Sequence, residues 1–360
     1  MPPFYSNCKV LFGFLLAFVL ALPEAQAQDP RFSQFYASPV QVNPALTGVF
    51  PGEYRFVANY RTQNYAVLGN QAYKSIGASG EWRRSVGQDD YFGLGLVALR
   101  DQVGESRFTQ GRAVVTGSFL KHLGSGRYRS SDQFLVAGAQ AGIGQWRYDF
   151  DKPWFSQQFF VDPANQQAFV DYNLPTGEDL NVNSTDIFLD FSAGLLYYNV
   201  LDENNSFYIG GAMHHLTEPN VSFLDDQSEK LYRRWVGQAG AELSVTRELS
   251  LLPAVLVMGQ GPAFSTTAGL NLRYSNHDWR EVAIRAGIWG HVANQLDDKV
   301  GLESTIISAI LEVERWQFGL SYDITVSNLA TANNSRGAFE LSLIYVHPEK
   351  TRFKTVCPKF

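Results

Sequence analysis

Few residues in this chain are of types and spacings that could do chemistry. His214 and His215 are adjacent; neighbours in a strand point to opposite faces, so the pair cannot share one metal ion without distortion. Packing inside the fold or at an interface is the reading their spacing supports. Asp186 and Asp190 fall four residues apart on one face of an alternating segment. At about 3.3 Å per residue they would stand roughly 13 Å apart, beyond the about 5 to 9.5 Å used by carboxylate pairs that hydrolyse glycosides. The acidic run DDQSE from Asp225 lacks the spacing and the glycine of an EF-hand loop. GLGLVA from Gly93 resembles a dinucleotide fingerprint, but no helical pattern or correctly spaced acid follows it. There is no G-x-S-x-G elbow. No catalytic residue, cofactor site or metal site is assigned, and the chain reads as a non-enzyme.

The elements that carry these residues are strands. Tyr54, Phe56, Ala58 and Tyr60 alternate with Arg55, Asn59 and Arg61. Ile187, Leu189, Phe191, Ala193, Leu195 and Tyr197 oppose Asp186, Asp190, Ser192 and Gly194. The same two-residue period recurs around Phe92, Leu135, Leu270, Ile284, Phe318 and Leu341. Weaker segments near 71 to 83, 106 to 120, 206 to 216, 232 to 246, 250 to 259 and 299 to 311 bring the total to about fourteen strands, and an even number is what a bacterial single-chain barrel uses. A soluble sandwich would also alternate, but here charged residues repeatedly share one face while large apolar ones share the other. The fold class is all-β, an antiparallel transmembrane β-barrel with an apolar exterior and a hydrated interior. Arg55, Arg61, Asp186, Asp190, Arg273 and Arg285 are assigned to its lumen, where the arginines balance the aspartates.

Composition supports that class. Aromatic residues make up 14% and glycine 31 positions, while mean hydropathy is close to zero, as expected when each apolar outward residue is followed by a polar or small inward one. Lys9 followed by an apolar run from Val10 to Leu22 and the small-x-small Ala25-Gln26-Ala27 make residues 1–27 a cleavable export signal. That run is shorter than the about 20 residues a spanning helix needs. Cys8 leaves with it, so only Cys357 remains, and no intrachain disulfide or C-x-x-C site is possible. The net charge of −6 and scattered lysines and arginines carry no nucleic-acid footprint.

Long connections near 146 to 184, 217 to 231, 290 to 298 and 325 to 336 are all odd-numbered from the first strand, whereas those near 201 to 205, 247 to 249 and 275 to 278 are even and short. In an up-and-down barrel each parity lies on one side, and the longer loops of outer-membrane barrels face the cell exterior. Residues 28–50, the barrel of 51–347 and the tail of 348–360 then form three parts, with the first and last at the periplasmic mouth.

The segment QDPRFSQFYASPVQVNPALTG from Gln28 cannot be a spanning strand, because Pro30, Pro39 and Pro44 would remove ladder donors. It must line, plug or cap something, or hang as a loose periplasmic leader. With its aromatic cluster at Phe32, Phe35 and Tyr36, its Asn43-Pro44 turn and closing Gly48, it resembles the amino-terminal signature of the PorP/SprF family, the type IX secretion-associated outer-membrane barrels of Bacteroidetes. YDITVSNLATANNSRGAFELSLIYV from Tyr322 resembles that family's carboxy-terminal hairpin, and the tail VCPKF its closing Cys-Pro-aromatic pattern. Between these ends the match is one of strand rhythm. The thirteen residues after His347 depart from barrels that end on an aromatic closing their last strand.

The resemblance implies residence in the outer membrane and a non-enzymatic role in the type IX secretion and gliding machinery, assisting export or surface retention of large adhesins. Implied partners are the secretion machinery, secreted cargo, periplasmic peptidoglycan-binding or ring proteins and outer-membrane lipids. On this reading Phe32, Phe35, Tyr36, Asn43 and Pro44 bind a partner. A passive channel or solute transporter is the alternative, with inward charges setting selectivity.

Overall fold

The structure is a computed structural model that describes residues 29–87, 89–104, 106–124, 132–149, 156–162, 167–175, 184–202, 205–223, 229–276, 282–294 and 300–348. The export signal, Cys8, Cys357, Glu281, most of the acidic run from Asp225 and the tail beyond Pro348 lie outside the described residues.

Alternating sequence becomes a closed antiparallel barrel of fourteen strands. In chain order they are β1 (Tyr54–Gln63), β2 (Tyr73–Val86), β3 (Asp90–Val103), β4 (Phe108–His122) and β5 (Asp132–Arg147). A small hairpin of β6 (Phe159–Val161) and β7 (Ala168–Val170) then stands apart from the barrel wall. The barrel resumes with β8 (Phe188–Val200), β9 (Ser206–His214), β10 (Arg234–Ser244), β11 (Leu249–Gln260) and β12 (Ala263–Tyr274). It ends with β13 (Val282–Asn294), β14 (Val300–Val313), β15 (Trp316–Thr325) and β16 (Arg336–His347). The ring closes where β1 pairs with β16, from Tyr54 opposite His347 to Gln63 opposite Ala338. Closure leaves no unpaired edge, which a chain in hydrocarbon requires because no water is present to take up free N–H and C=O groups.

The connection parity read from the sequence is present with two adjustments. The stretch 290 to 298 is not a long loop, because β13 runs through Asn294 and β14 starts at Val300. The even connection after β4, from 123 to 131, is longer than a tight turn. The remaining long connections, 148 to 187, 215 to 233 and 326 to 335, share one end of the barrel, here termed the long-loop end. The other, turn end holds the start of β1 and the finish of β16. Pro253 sits inside β11, and the β10–β11 ladder skips the pairs between Gly240 opposite Ala254 and Leu243 opposite Leu251 with its register unchanged. A residue without an N–H cannot complete the ladder there.

The core is inside the cylinder, not in its wall. Leu96, Val115, Leu195, Ile209 and Ile288 are exposed on the outer surface, as a lipid-facing band requires. Inward-facing Tyr91, Phe134, Leu196, Tyr198, Val236 and Trp289 are buried together with Phe35, Val42, Ala45, Leu46 and Val49 of the amino-terminal segment. The expectation of a simply hydrated interior is therefore corrected: part of the lumen is a dry apolar core built around residues 35 to 49. Phe35 meets the Trp289 ring edge-on at 5.3 Å and Tyr36 lies 5.5 Å from it.

Inward glycines make room for this segment. Gly48 holds a left-handed φ of 74° and presses on Gly93 of β3, where an added Cβ would lie 2.8 Å from the Thr47 carbonyl oxygen. At Gly138 of β5 a Cβ would collide with the backbone of Pro44 and Ala45. Gly138→Leu should therefore lift the segment off the wall at a cost of about 1 to 3 kcal/mol. Expected is faster tryptic cleavage after Arg31 in a barrel that still shows heat-modifiable gel migration. Gly237→Leu, where a Cβ meets nothing within 4 Å, should cleave at the wild-type rate.

Candidate functional site

The chemistry of the lumen is concentrated where the amino-terminal segment meets charged side chains on the inner faces of the strands. At the long-loop end Asp29 is the hub. Its carboxylate accepts from Arg112 of β4 at 2.6 and 3.2 Å, pairs with Arg234 of β10 at 2.8 Å and lies 2.7 Å from His215 Nε2. Its backbone N–H donates to Gln260 at 3.0 Å. His215 Nδ1 lies 2.8 Å from Asp190 of β8, so the imidazole is held between two carboxylates.

Burial alone would raise the Asp29 pKa, but the opposing charges of Arg112, His215 and Arg234 outweigh it and hold the carboxyl well below the usual carboxylate range.

A second set follows along the segment. Arg31 reaches His291 Nδ1 at 2.6 Å and Glu303 at 3.5 Å. Burial, assisted by the neighbouring Arg61, lowers its pKa to about 10, which leaves it a cation at neutral pH. Arg61 donates to Asp323 at 3.0 Å and to the Arg31 carbonyl at 3.1 Å. The Ser33 hydroxyl donates to Asp323 at 2.7 Å, and the backbone N–H groups of Ser33 and Gln34 donate to the two oxygens of Glu340 at 2.6 and 3.0 Å.

In the middle of the lumen, Asn43 Nδ2 donates to the carbonyls of Leu195 and Gly211, both at 3.2 Å, while its Oδ1 caps Ala45 N–H at 2.8 Å. At the turn end Arg55 grips Glu81 through two bonds of 2.7 and 2.8 Å and donates to the Leu46 carbonyl at 3.2 Å. Gly48 N–H donates to Glu81 at 3.0 Å, and Arg83 donates to the Phe50 carbonyl at 2.5 Å. Beside this contact a cavity of about 500 Å³ opens at the turn end, lined by Tyr36, Tyr208, Trp289, Arg273, Arg285 and Glu312.

Several sequence expectations are redirected by this geometry. Arg55, Arg61 and Asp190 are buried and inward, and Arg273 and Arg285 are inward and half-buried. Their partners are not one another: Arg55 pairs with Glu81, Arg61 with Asp323, Arg273 and Arg285 both with Glu312, and Asp190 with His215. Asp186 precedes β8 and is exposed, so it does not face the lumen. Phe32, Phe35, Asn43 and Pro44 are buried and Tyr36 half-buried inside the barrel, so in this structure the residues expected to bind a partner sit against the inner wall.

His214 and His215 both lie inside, because His215 leaves β9 with a left-handed φ of 57°. His214 is taken up by the Val42 carbonyl at 3.1 Å. Among the described residues no metal-holding group of three or more His, Cys, Asp or Glu occurs. Asp29, Glu81, Arg83, Arg112, Arg234, His291, Glu303 and Glu312 were not singled out from sequence. For all but Asp29, which precedes the strands, the inward parity of the strand was the available signal.

A closed strand cylinder with an apolar outer band, its lumen occupied by its own leading segment through ion pairs, defines a plugged outer-membrane β-barrel. The chain matches the model of the type IX secretion system membrane protein PorP/SprF over residues 24–345. It belongs to that family, resides in the outer membrane and associates with the secretion machinery. No curated protein matches it. Among solved structures, it is similar to the CymD monoaromatic hydrocarbon channel, with 12% identity, TM-score 0.44, and coverage of 88% of this chain and 94% of that one. The Ralstonia pickettii toluene transporter TbuX gives 13% identity, TM-score 0.42, and coverage of 86% and 91%.

Asp29 supplies a pH test. Its lowered pKa stabilises the seated segment fully above the unfolded value of about 3.9, and that contribution is lost as pH falls through the lower folded value. The part of the protection that Asp29 supplies, read as the difference in acid-protease accessibility between wild type and Asp29→Asn, should thus stay constant down to about pH 4 and shrink only below it. Asp29→Asn, which leaves Arg112 and Arg234 buried without their counter-charge, should release the segment already at pH 7, at a cost of about 3 to 5 kcal/mol.

Proposed function

We propose that this chain is a non-enzymatic docking component of the type IX secretion and gliding machinery, which assists export or surface retention of large adhesins without conducting them through its own lumen. The observation that carries this reading is the seating of residues 29–50 inside the barrel. Ion pairs hold it at the long-loop end through Asp29 and Arg31, hydrogen bonds hold it at mid-height through Asn43, and the Arg55–Glu81 pair holds it at the turn end. A solute pore needs a continuous wet path, and the apolar cluster around Phe35, Leu46 and Trp289 opposes one. This weighs against the passive channel.

In the proposed arrangement the connections 148 to 187, 215 to 233 and 326 to 335 face the exterior and meet cargo. The turn end faces the periplasm, where peptidoglycan-binding or ring proteins would attach near the 500 Å³ cavity. Family membership supports association with the machinery; cargo class and partner positions are part of the proposal.

Two measurements test it together. In planar bilayers the purified wild-type barrel should be electrically silent, and replacement of 215 to 233 by a Gly-Ser linker should reduce surface display of the adhesin by about tenfold or more while barrel abundance in the outer membrane is unchanged. A large, steady wild-type conductance, or full cargo display by the linker variant together with normal display in a deletion strain, would overturn the reading.

A further inference from the structure

The outer wall carries a feature that the plugged lumen does not explain. At the long-loop ends of β2 to β5 a groove of about 1120 Å³ runs along the surface, lined by Lys74, Arg100, Arg107 and Arg147 and by the apolar side chains of Ile143 and Ile187. Strand parity turns Lys74, Arg100 and Arg147 outward: they alternate with the inward Ser75, Asp101 and Trp146, which are buried. Register places them side by side. Arg100 stands opposite Gly111, Gly111 opposite Gln145, and Thr109 opposite Arg147, while Lys74 stands opposite Gln102. Lys74 and Arg147 stand level, three strand spacings of about 4.8 Å apart, with Arg100 two residues toward mid-barrel, so the backbone positions of the three cations span roughly 14 Å.

Their charge is uncompensated. Among the described residues no ion pair joins Lys74, Arg100, Arg107 or Arg147 to a carboxylate, and Asp149 is the single acid lining the groove. Of the exposed cations elsewhere, Lys121 is paired with Asp90 and Arg233 with Glu218, while Arg84, Arg247, Arg315 and Arg336 stand singly on strands or turns; what sets this patch apart is that its cations share one groove. The patch stands out against a chain of net charge −6. Gly111 forms the trough between Arg100 and Gln145; a Cβ there would meet only the Gln145 carbonyl oxygen, at 3.8 Å. Toward mid-barrel the groove runs into the exposed apolar surface of Ile143, Leu96 and Val115.

From this we infer a binding site for a phosphorylated glycolipid of the outer leaflet, its acyl chains on Ile143 and Leu96, its sugar over Gly111 and its phosphates on Lys74, Arg100 and Arg147. The groove lies on the outward face of the strands beside the exposed apolar Ile143, Leu96 and Val115, which, on the orientation proposed above, favours a lipid over a soluble anion. Cations near an anionic membrane surface attract such headgroups, and the long-loop end of an outer-membrane barrel meets the outer leaflet.

The test uses the full-length barrel purified in uncharged detergent and native mass spectrometry with bisphosphorylated lipid A, dephosphorylated lipid A or phosphatidylglycerol. Wild type should retain bisphosphorylated lipid A over both others. The double variant Arg100→Ala/Arg147→Ala should lose at least about tenfold in retention. Gly111→Phe, which keeps every charge and fills the trough from open space, should lose a similar factor. Heat-modifiable migration checks that both variants are folded. Equal retention by either folded variant, equal binding of the dephosphorylated lipid, or a preference for phosphatidylglycerol would overturn the assignment.

Discussion

Hydrocarbon offers no hydrogen-bonding partner to a peptide group, and that constraint organises this protein. Every spanning residue must pair its backbone with a neighbouring strand, so the β1–β16 ladder has to close. Once the ring is shut, the outer face is given over to apolar side chains and the inner face is free to take polar ones. The amino-terminal segment, whose prolines bar it from the ladder, satisfies its own polar groups against that inner face. Ser33 and Gln34 N–H groups find Glu340, and the Leu46 and Phe50 carbonyls find Arg55 and Arg83.

Burying so many charges is costly unless each is paired and bonded. Some pairs lie within the wall, Arg55 with Glu81, Arg61 with Asp323, and Arg273 and Arg285 with Glu312, while others cross the plug-to-wall boundary, so part of the wall's charge is met by the seated segment. Arg112 and Arg234 converge on Asp29, and Glu340 receives two segment N–H groups. Apolar packing around Phe35 and Trp289 adds cohesion with little directionality, while the ionic contacts determine which seat the segment takes.

The barrel wall was legible in the sequence because a two-residue period is local information: Tyr54, Phe56, Ala58 and Tyr60 declare their face without reference to any other strand. The strand total followed by counting such runs. Loop parity was legible for the same reason, except where β13 extends to Asn294 and where the even connection after β4 is longer than a turn. What joins the lumen was not legible. Ser33 meets Glu340 across 307 positions and Asp29 meets His215 across 186, and strand parity cannot say which inward charge faces which. His215 was misread because a single left-handed residue at the end of β9 breaks the alternation on which its orientation was judged. Asp186 was misread because β8 begins two residues later than the apolar pattern suggested. The five residues taken for a partner surface were recognised as unfit for a strand; their neighbours turned out to be the inner wall.

The leading segment precedes every strand in the chain, yet Gln34 and Ser33 depend on Asp323 of β15 and Glu340 of β16, the last two strands to emerge. Synthesis therefore delivers the occupant first and its final anchors last. A barrel without its last hairpin would lack the Asp323 and Glu340 contacts of its leader, so ring completion and full anchoring of the segment depend on the same two strands.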